Sequence, residues 1–314
     1  MTRSVFIQLI LLALVVLCFA ALPFMTEGFY LTLAVNIALY VALCTAWTLF
    51  SGPTHLVSLA TAAFFGVGIY ATAIGVEYLP FPVVILLGGL AGAVFAAGVG
   101  AMTLRLSGVY FVIFTLGLAE LARQLVTYFQ TKIFGSIGLF VLTDHSEGDL
   151  FHYLLALIVV IFVTGWLIGR SRLGFAMRVI GNDELVARHF GIEVARSKII
   201  LFVISGAFIA MAGAIMAPRY AYVEPASAFN STMSFLVVIM ALLGGTRRLW
   251  GPLVGVVPFT IIADLISAYF PEHINIIIGL GFLLIVYLLK DGVSGILLKA
   301  LGSNRLTRAQ GAKP

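Results

Sequence analysis

Residues 82–104 read PVVILLGGLAGAVFAAGVGAMTL, an uncharged run whose length decides the solvent in which this chain folds. A helix rising about 1.5 Å per residue needs about 20 mostly apolar residues to cross a hydrocarbon core of about 30 Å. The stretch meets that length without one ionisable side chain. Gly88, Gly92, Ala96 and Gly100 recur along it every four residues. That spacing puts them on one helix face, where small side chains let a second backbone approach closely. The face reads as a packing seam, within the subunit or between subunits, and carries no substrate information.

Reading outward on the same length gives about ten spans: 5–22, 30–50, 58–75, 82–104, 107–128, 151–169, 199–217, 232–245, 251–269 and 274–289. The third and eighth are short and broken by glycine, and only Thr246–Trp250 divides the eighth from the ninth. Of the 314 residues, 62% are hydrophobic and 10% charged, against about a quarter charged in soluble domains. The mean hydropathy is +1.14. This balance excludes a cytoplasmic enzyme, a nucleic-acid-binding domain and a secreted disulfide scaffold. Cys18 and Cys44 both lie inside apolar runs and read as small buried hydrophobes.

Alternating the sides from Arg3 in the cytoplasm puts Arg3, Arg105, Arg170, Arg172, Arg178, Arg188, Arg196, Lys198, Arg247, Arg248, Lys290, Lys299, Arg305, Arg308 and Lys313 inside, fifteen of the 18 basic residues. Lys132 and Arg219 fall outside, and Arg123 lies within a span. The Lys and Arg bias sets orientation, so an even count with both termini inside is expected. Residues 1–22 also fit a secretory signal; the long apolar stretch and the spans that follow favour an uncleaved first helix. The expected organisation is all-α and polytopic: one transmembrane domain over 1–302, then a basic cytoplasmic tail, 303–314, expected to be disordered. No nucleotide-binding loop G-x-x-x-x-G-K-[ST], no H-E-x-x-H, no G-x-S-x-G and no repeated acidic pair occurs. The chain therefore reads as a non-enzyme without a metal or cofactor of its own. Uphill movement would draw on an ion gradient or a partner.

The longest inside loop is 170–198. Asn182 or Asp183 can cap a helix whose first turn carries Glu184, favourable at the positive end of the helix dipole. Leu185, Val186, Phe190 and Ile192 give it an apolar side, and Gly191 ends it as a left-handed cap would. Such a helix suits either the lipid surface, with its arginines on anionic headgroups, or the groove of a partner protein.

At this point the sequence resembles a known family. The arrangement Glu184-x-x-Ala187-x-x-x-Gly191 looks like the ATPase-coupling motif of ABC importer permeases. The blocks 174–192, 104–123, 243–255 and 58–70 are similar to the branched-chain amino acid permease family, in the family's order. The resemblance implies a permease subunit in the bacterial inner membrane, paired with a second permease, two ABC ATPases that bind the ATP, and a periplasmic substrate-binding protein. It also implies a fold similar to the large vitamin B12-type importers. Two segments depart from the family pattern: Ser58-Leu-Ala-Thr-Ala62 where the family has Ser-Leu-Gly-His-Ala, and Ile133-Phe-Gly-Ser-Ile-Gly-Leu139 where it has a Thr-Gly-Gly run. Both lie in or beside pathway elements, so they bear on the cargo and leave the importer class intact. The resemblance implies branched-chain or related amino acids as cargo, with urea or a short amide as the alternative. An ion-driven secondary transporter is the rival of another class.

Within the membrane, Glu120 and Arg123 sit three apart on one face of the fifth span. Counted from Arg105, Glu120 lies about 22 Å along the helix, in the outer half. A charge at mid-bilayer costs about 2.5–3.5 kcal/mol on insertion scales. The two therefore either line a wet vestibule or form an internal pair. Asp264 has no opposite charge within a turn and reads as hydrogen-bonded to backbone or a hydroxyl. Ser51-Gly-Pro-Thr-His55 interrupts the second and third spans, and broken helices point to a transport path. The candidate path is Ser58, Thr61, Phe64, Phe65, Tyr110, Thr115, Glu120 and Arg123.

The orientation is testable with cysteines placed at Ser171, Ser197 and Ser146. A membrane-impermeant thiol reagent added to intact cells should label position 146 and spare 171 and 197. Labelling at 171 would reverse the topology.

Overall fold

The computed structural model describes residues 28–269, except 105, 107, 134, 136, 137 and 247, together with residues 23, 276, 279 and 280. The expected first span, all but three residues of the tenth, and the tail at 303–314 lie outside the described residues.

Among the described residues the long helices are α1 (Phe29–Thr54), α2 (Thr61–Gly75), α3 (Phe81–Thr103), α4 (Val109–Ile133) and α5 (Glu147–Arg170). Two short helices follow, α6 (Arg172–Asn182) and α7 (Glu184–His189). Then come α8 (Val194–Met216), the single turn α9 (Pro225–Ala228), α10 (Ser231–Gly244) and α11 (Gly251–Tyr269). Six stretches are long and apolar enough to cross a membrane: Phe29–Thr54, Phe81–Thr103, Val109–Ile133, Glu147–Arg170, Val194–Arg219 and Pro225–Gly244. Thr61–Gly75 and Gly251–Ile266 are shorter apolar helices. The protein is thus a polytopic helical membrane protein. Each of the eight middle spans expected from sequence has its helix, with ends moved by a few residues.

The core is built around α8, which packs on α2, α3 and α1. The small-residue face of α3 is a seam within the chain, and α8 is what it admits. A Cβ on Gly92 would come within 2.3 Å of the Ala210 Cβ, and one on Gly88 within 2.9 Å of the Ala214 Cβ. The contact with α2 is closer still. A Cβ on Gly68 would sit 1.8 Å from the Ala210 carbonyl oxygen, and one on Gly213 2.1 Å from that of Phe65. Phe64 fills the space beside this seam, edge-on to Phe95 and Phe202 at 5.9 and 5.3 Å between ring centroids. Cys44 is buried, as its apolar context suggested.

The break between α1 and α2 lies later than the sequence placed it. α1 continues through Pro53 to Thr54, because a proline so near the helix end deletes only one ladder bond. His55 then turns the chain at φ 55°, and residues 55–60 are not helical. Irregular backbone survives at membrane depth only if protein or water satisfies it. Here the protein does. Trp47 Nε1 donates to the Ser58 carbonyl at 2.7 Å. The Leu59 amide donates to Thr115 Oγ1 at 3.0 Å, and the Ala62 amide to Ser234 Oγ at 2.9 Å.

The segments 129–150 and 218–231, which the charge distribution put on one side, meet in a two-stranded antiparallel ribbon. β1 (Leu139–Phe140) pairs with β2 (Tyr222–Val223), in the register Leu139 to Val223. Nearby, Arg219 donates to Asn36 Oδ1 at 2.7 Å and lies 3.7 Å from Glu147, which accepts from Thr32 at 2.8 Å. Asp264 joins this network by accepting from the Asn36 amide at 3.5 Å. The expectation of a backbone or hydroxyl donor is corrected: the packing of α11 on α1 supplies a side-chain amide.

The seam makes opposite forecasts for two glycines. Gly68→Ala should lower the melting temperature of the detergent-solubilised chain by several degrees, since overpacking costs about 1–3 kcal/mol. Gly98→Ala, whose Cβ would meet nothing within 4 Å, should leave it unchanged. Equal melting of the two variants would mean that the helices are not in backbone contact.

Candidate functional site

The loop between α5 and α8 is built by local capping. Ser171 Oγ accepts from the Gly174 amide at 3.3 Å and starts α6. Asp183 ends α6 and starts α7: its Oδ1 accepts from the amides of Leu185 and Val186 at 2.7 and 3.3 Å. α7 is six residues long and closes with Gly191 at φ 72°. The Gly191 amide donates to the Arg188 carbonyl at 3.0 Å and the Ile192 amide to that of Ala187 at 3.1 Å. This paired pattern is the Schellman turn, which absorbs carbonyls that a helix end would leave orphaned. The left-handed glycine read from sequence is therefore present.

α7 is anchored by one face and presents the other. Ala187 is fully buried, whereas Leu185 and Phe190 are 65% and 75% exposed. Glu184 sits at the first position of α7, where its charge suits the helix dipole. It forms an ion pair with Lys198 in the first turns of α8, a partner within the chain. Lys198 is only 4% exposed. Sequence reading missed its role. The available signal was a single lysine at the edge of an apolar run, downstream of a cluster of arginines.

The loop also touches the α1–α2 break. A Cβ on Gly181 would come within 2.6 Å of the Pro53 carbonyl oxygen and 3.5 Å of His55 Nε2. On the other side, a shallow cavity of about 550 Å³ is lined by Arg188, Ile192, Glu193, Val194, Arg196 and Ile199.

The eight candidate path residues separate into two groups. Ser58, Thr61, Phe64, Phe65 and Thr115 are buried in the interior around the break. Ser58 and Thr115 are occupied there as backbone partners of the irregular segment. Tyr110, Glu120 and Arg123 lie on the outward face of α4 with Ile113, Phe114 and Leu121. Glu120 and Arg123 pair with each other on this face: Arg123 Nε donates to Glu120 Oε2 at 2.9 Å, and its Nη2 donates to Oε1. Gln124 Nε2 adds a third donor at 2.9 Å, which sequence reading also missed. Among the described residues no group of three His, Cys, Asp or Glu side chains is placed to hold a metal ion.

A family profile described as the branched-chain amino acid transport system permease component matches residues 29–298. The chain belongs to that permease family. The high-affinity branched-chain amino acid transport system permease protein LivM of Escherichia coli is 28% identical to it over 315 aligned positions, covering 89% of this chain and 73% of LivM. LivM of Salmonella typhimurium matches to the same extent. A shorter match, 26% over 195 positions and 57% of each chain, is the ribose import permease protein RbsC of Haemophilus influenzae. No solved structure matches. This branched-chain-type ABC permease is therefore a membrane-spanning transport component, and α6 and α7 are the polar interruption between its spans.

The turn at Gly191 can be probed directly. A non-glycine residue in the left-handed region costs about 1–2 kcal/mol, and nothing lies within 4 Å of a Cβ there, so the penalty is conformational. Gly191→Val should speed hydrogen exchange of the 184–192 segment about tenfold, and Gly191→Asn should do so far less. Equal protection in the valine variant would remove the left-handed turn from the account.

Proposed function

We propose that this permease is one membrane subunit of an importer for branched-chain or related amino acids in the bacterial inner membrane. Two partner ATPases bind the ATP and dock on 170–198, through Glu184, Ala187 and Gly191. A second permease completes the translocation path, and a periplasmic binding protein delivers cargo. Residues 1–302 act as one membrane domain of about ten helices with both termini inside, in the manner of the vitamin B12-type importers.

The observation that carries this reading is α7. A six-residue helix rigidly capped at both ends, with Leu185 and Phe190 turned outward, offers a firm apolar knob for a groove. The likeness to LivM over most of the chain supports amino acids as cargo.

On this reading the path runs along the outward face of α4. A Glu–Arg–Gln cluster in mid-span is costly against lipid, so a wet path or the second permease is the fitting neighbour. Tyr110, Glu120 and Arg123 line that path, and Ser58, Thr61, Phe64, Phe65 and Thr115 shape the wall behind it. An ion-driven mechanism is less well supported, because Glu120 and Asp264 already have donors.

The test is uptake by the complex reconstituted in liposomes with loaded binding protein and internal ATP. Labelled leucine should accumulate, isoleucine and valine should compete, and urea and ribose should not. Arg123→Met should cut uptake at least tenfold without loss of inserted protein. Uptake driven by a proton gradient without ATP would overturn the importer reading, and wild-type uptake by Arg123→Met would take α4 out of the path.

A further inference from the structure

We infer that Lys198 is a positioning residue, through which the coupling helix α7 grips the base of α8 and passes the motion of the ATPase into the transmembrane core. The inference rests on the importer reading above and adds a residue outside its coupling motif.

Lys198 stands in the second turn of α8 and is the one buried charged residue among the described residues. A buried ammonium must be paired, since desolvation without a counter-charge is heavily unfavourable. Its counter-charge is Glu184, fourteen residues earlier on a different helix. The arginines Arg172, Arg178 and Arg196, on either side of α7, are exposed. The pair adds a charged link to the apolar packing of the loop, through Met177, Ile180 and Ala187, against the core.

What lies beyond the pair makes the link mechanical. α8 is 23 residues long, about 34 Å, and its last third is in backbone contact with α2. The Ala210 carbonyl faces Gly68 and the Phe65 carbonyl faces Gly213, with no room for a methyl group. A close-packed interface transmits displacement because it cannot compress. Movement of α7 pulls Lys198, moves α8, and reaches α2 beside the α1–α2 break.

The experiment uses the assembled transporter in liposomes, with ATPase stimulation by loaded binding protein as one readout. The mobility of a spin label at Leu185→Cys is the other. Lys198→Met should lower the stimulation ratio at least fivefold and mobilise the label. Lys198→Arg should restore most of both, and the reversed pair Lys198→Glu with Glu184→Lys should do better than either single change. Gly98→Ala on α3, whose Cβ would meet nothing within 4 Å, should behave as wild type. Should Lys198→Met fail to insert, Glu184→Gln carries the same expectation with its carbon frame unchanged. An immobile label in Lys198→Met overturns the inference, as does undiminished stimulation. If the unmodified complex shows no stimulation at all, the importer reading fails and the inference falls with it; a mobilised label would then mark only a structural tether.

Discussion

The contact between α8 and α2, backbone against backbone, is the constraint on which the rest of this structure depends. In water, apolar surface is driven together; in lipid the surroundings are as apolar as the side chains, so close van der Waals fit must hold helices together. Gly68 and Gly213 supply that fit by having no side chain at the two closest points. With α8 fixed against α2 and α3, its two ends become the reference points for both faces of the membrane. The buried lysine gathers the α6–α7 loop at one end. At the other, Arg219 gathers Glu147 and Asn36 into a polar network across α1, α5 and α11.

Much of this was legible because the deciding signals are local. A span declares itself by length and lack of charge, so eight helices appear where the hydropathy puts them. The helix α7 was also readable, because its cap, first-turn carboxylate and terminal glycine all act within ten residues of one another. Errors arose where the answer depends on a distant element. Pro53 looked like a helix stop, but α1 runs past it because a proline near a helix end costs one hydrogen bond. The partner of the α3 seam, the amide donor to Asp264 and the carboxylate partner of Lys198 are all set by packing, and no spacing rule reports them.

The candidate path divides along the same line. Residues picked for their place beside a broken helix, such as Thr61 and Phe65, turn out to be buried framework. Those picked for carrying charge in a span, Glu120 and Arg123, are surface groups on α4. Charge in an apolar segment is the more direct clue to contact with something other than lipid.

The hydrogen bonds around the α1–α2 break also impose an order of assembly. The donors and acceptors that quiet residues 58–62 come from Trp47, from Thr115 on α4 and from Ser234 on α10. The last of these is made across 172 positions of sequence. During biosynthesis α1 and α2 are therefore in the membrane long before Ser234 has been translated, with the Ala62 amide still lacking its acceptor. The break cannot set until the eighth expected span arrives. A chain truncated before residue 234 would be left with an open, polar seam between α1 and α2, the kind of feature that membrane quality control can recognise and remove.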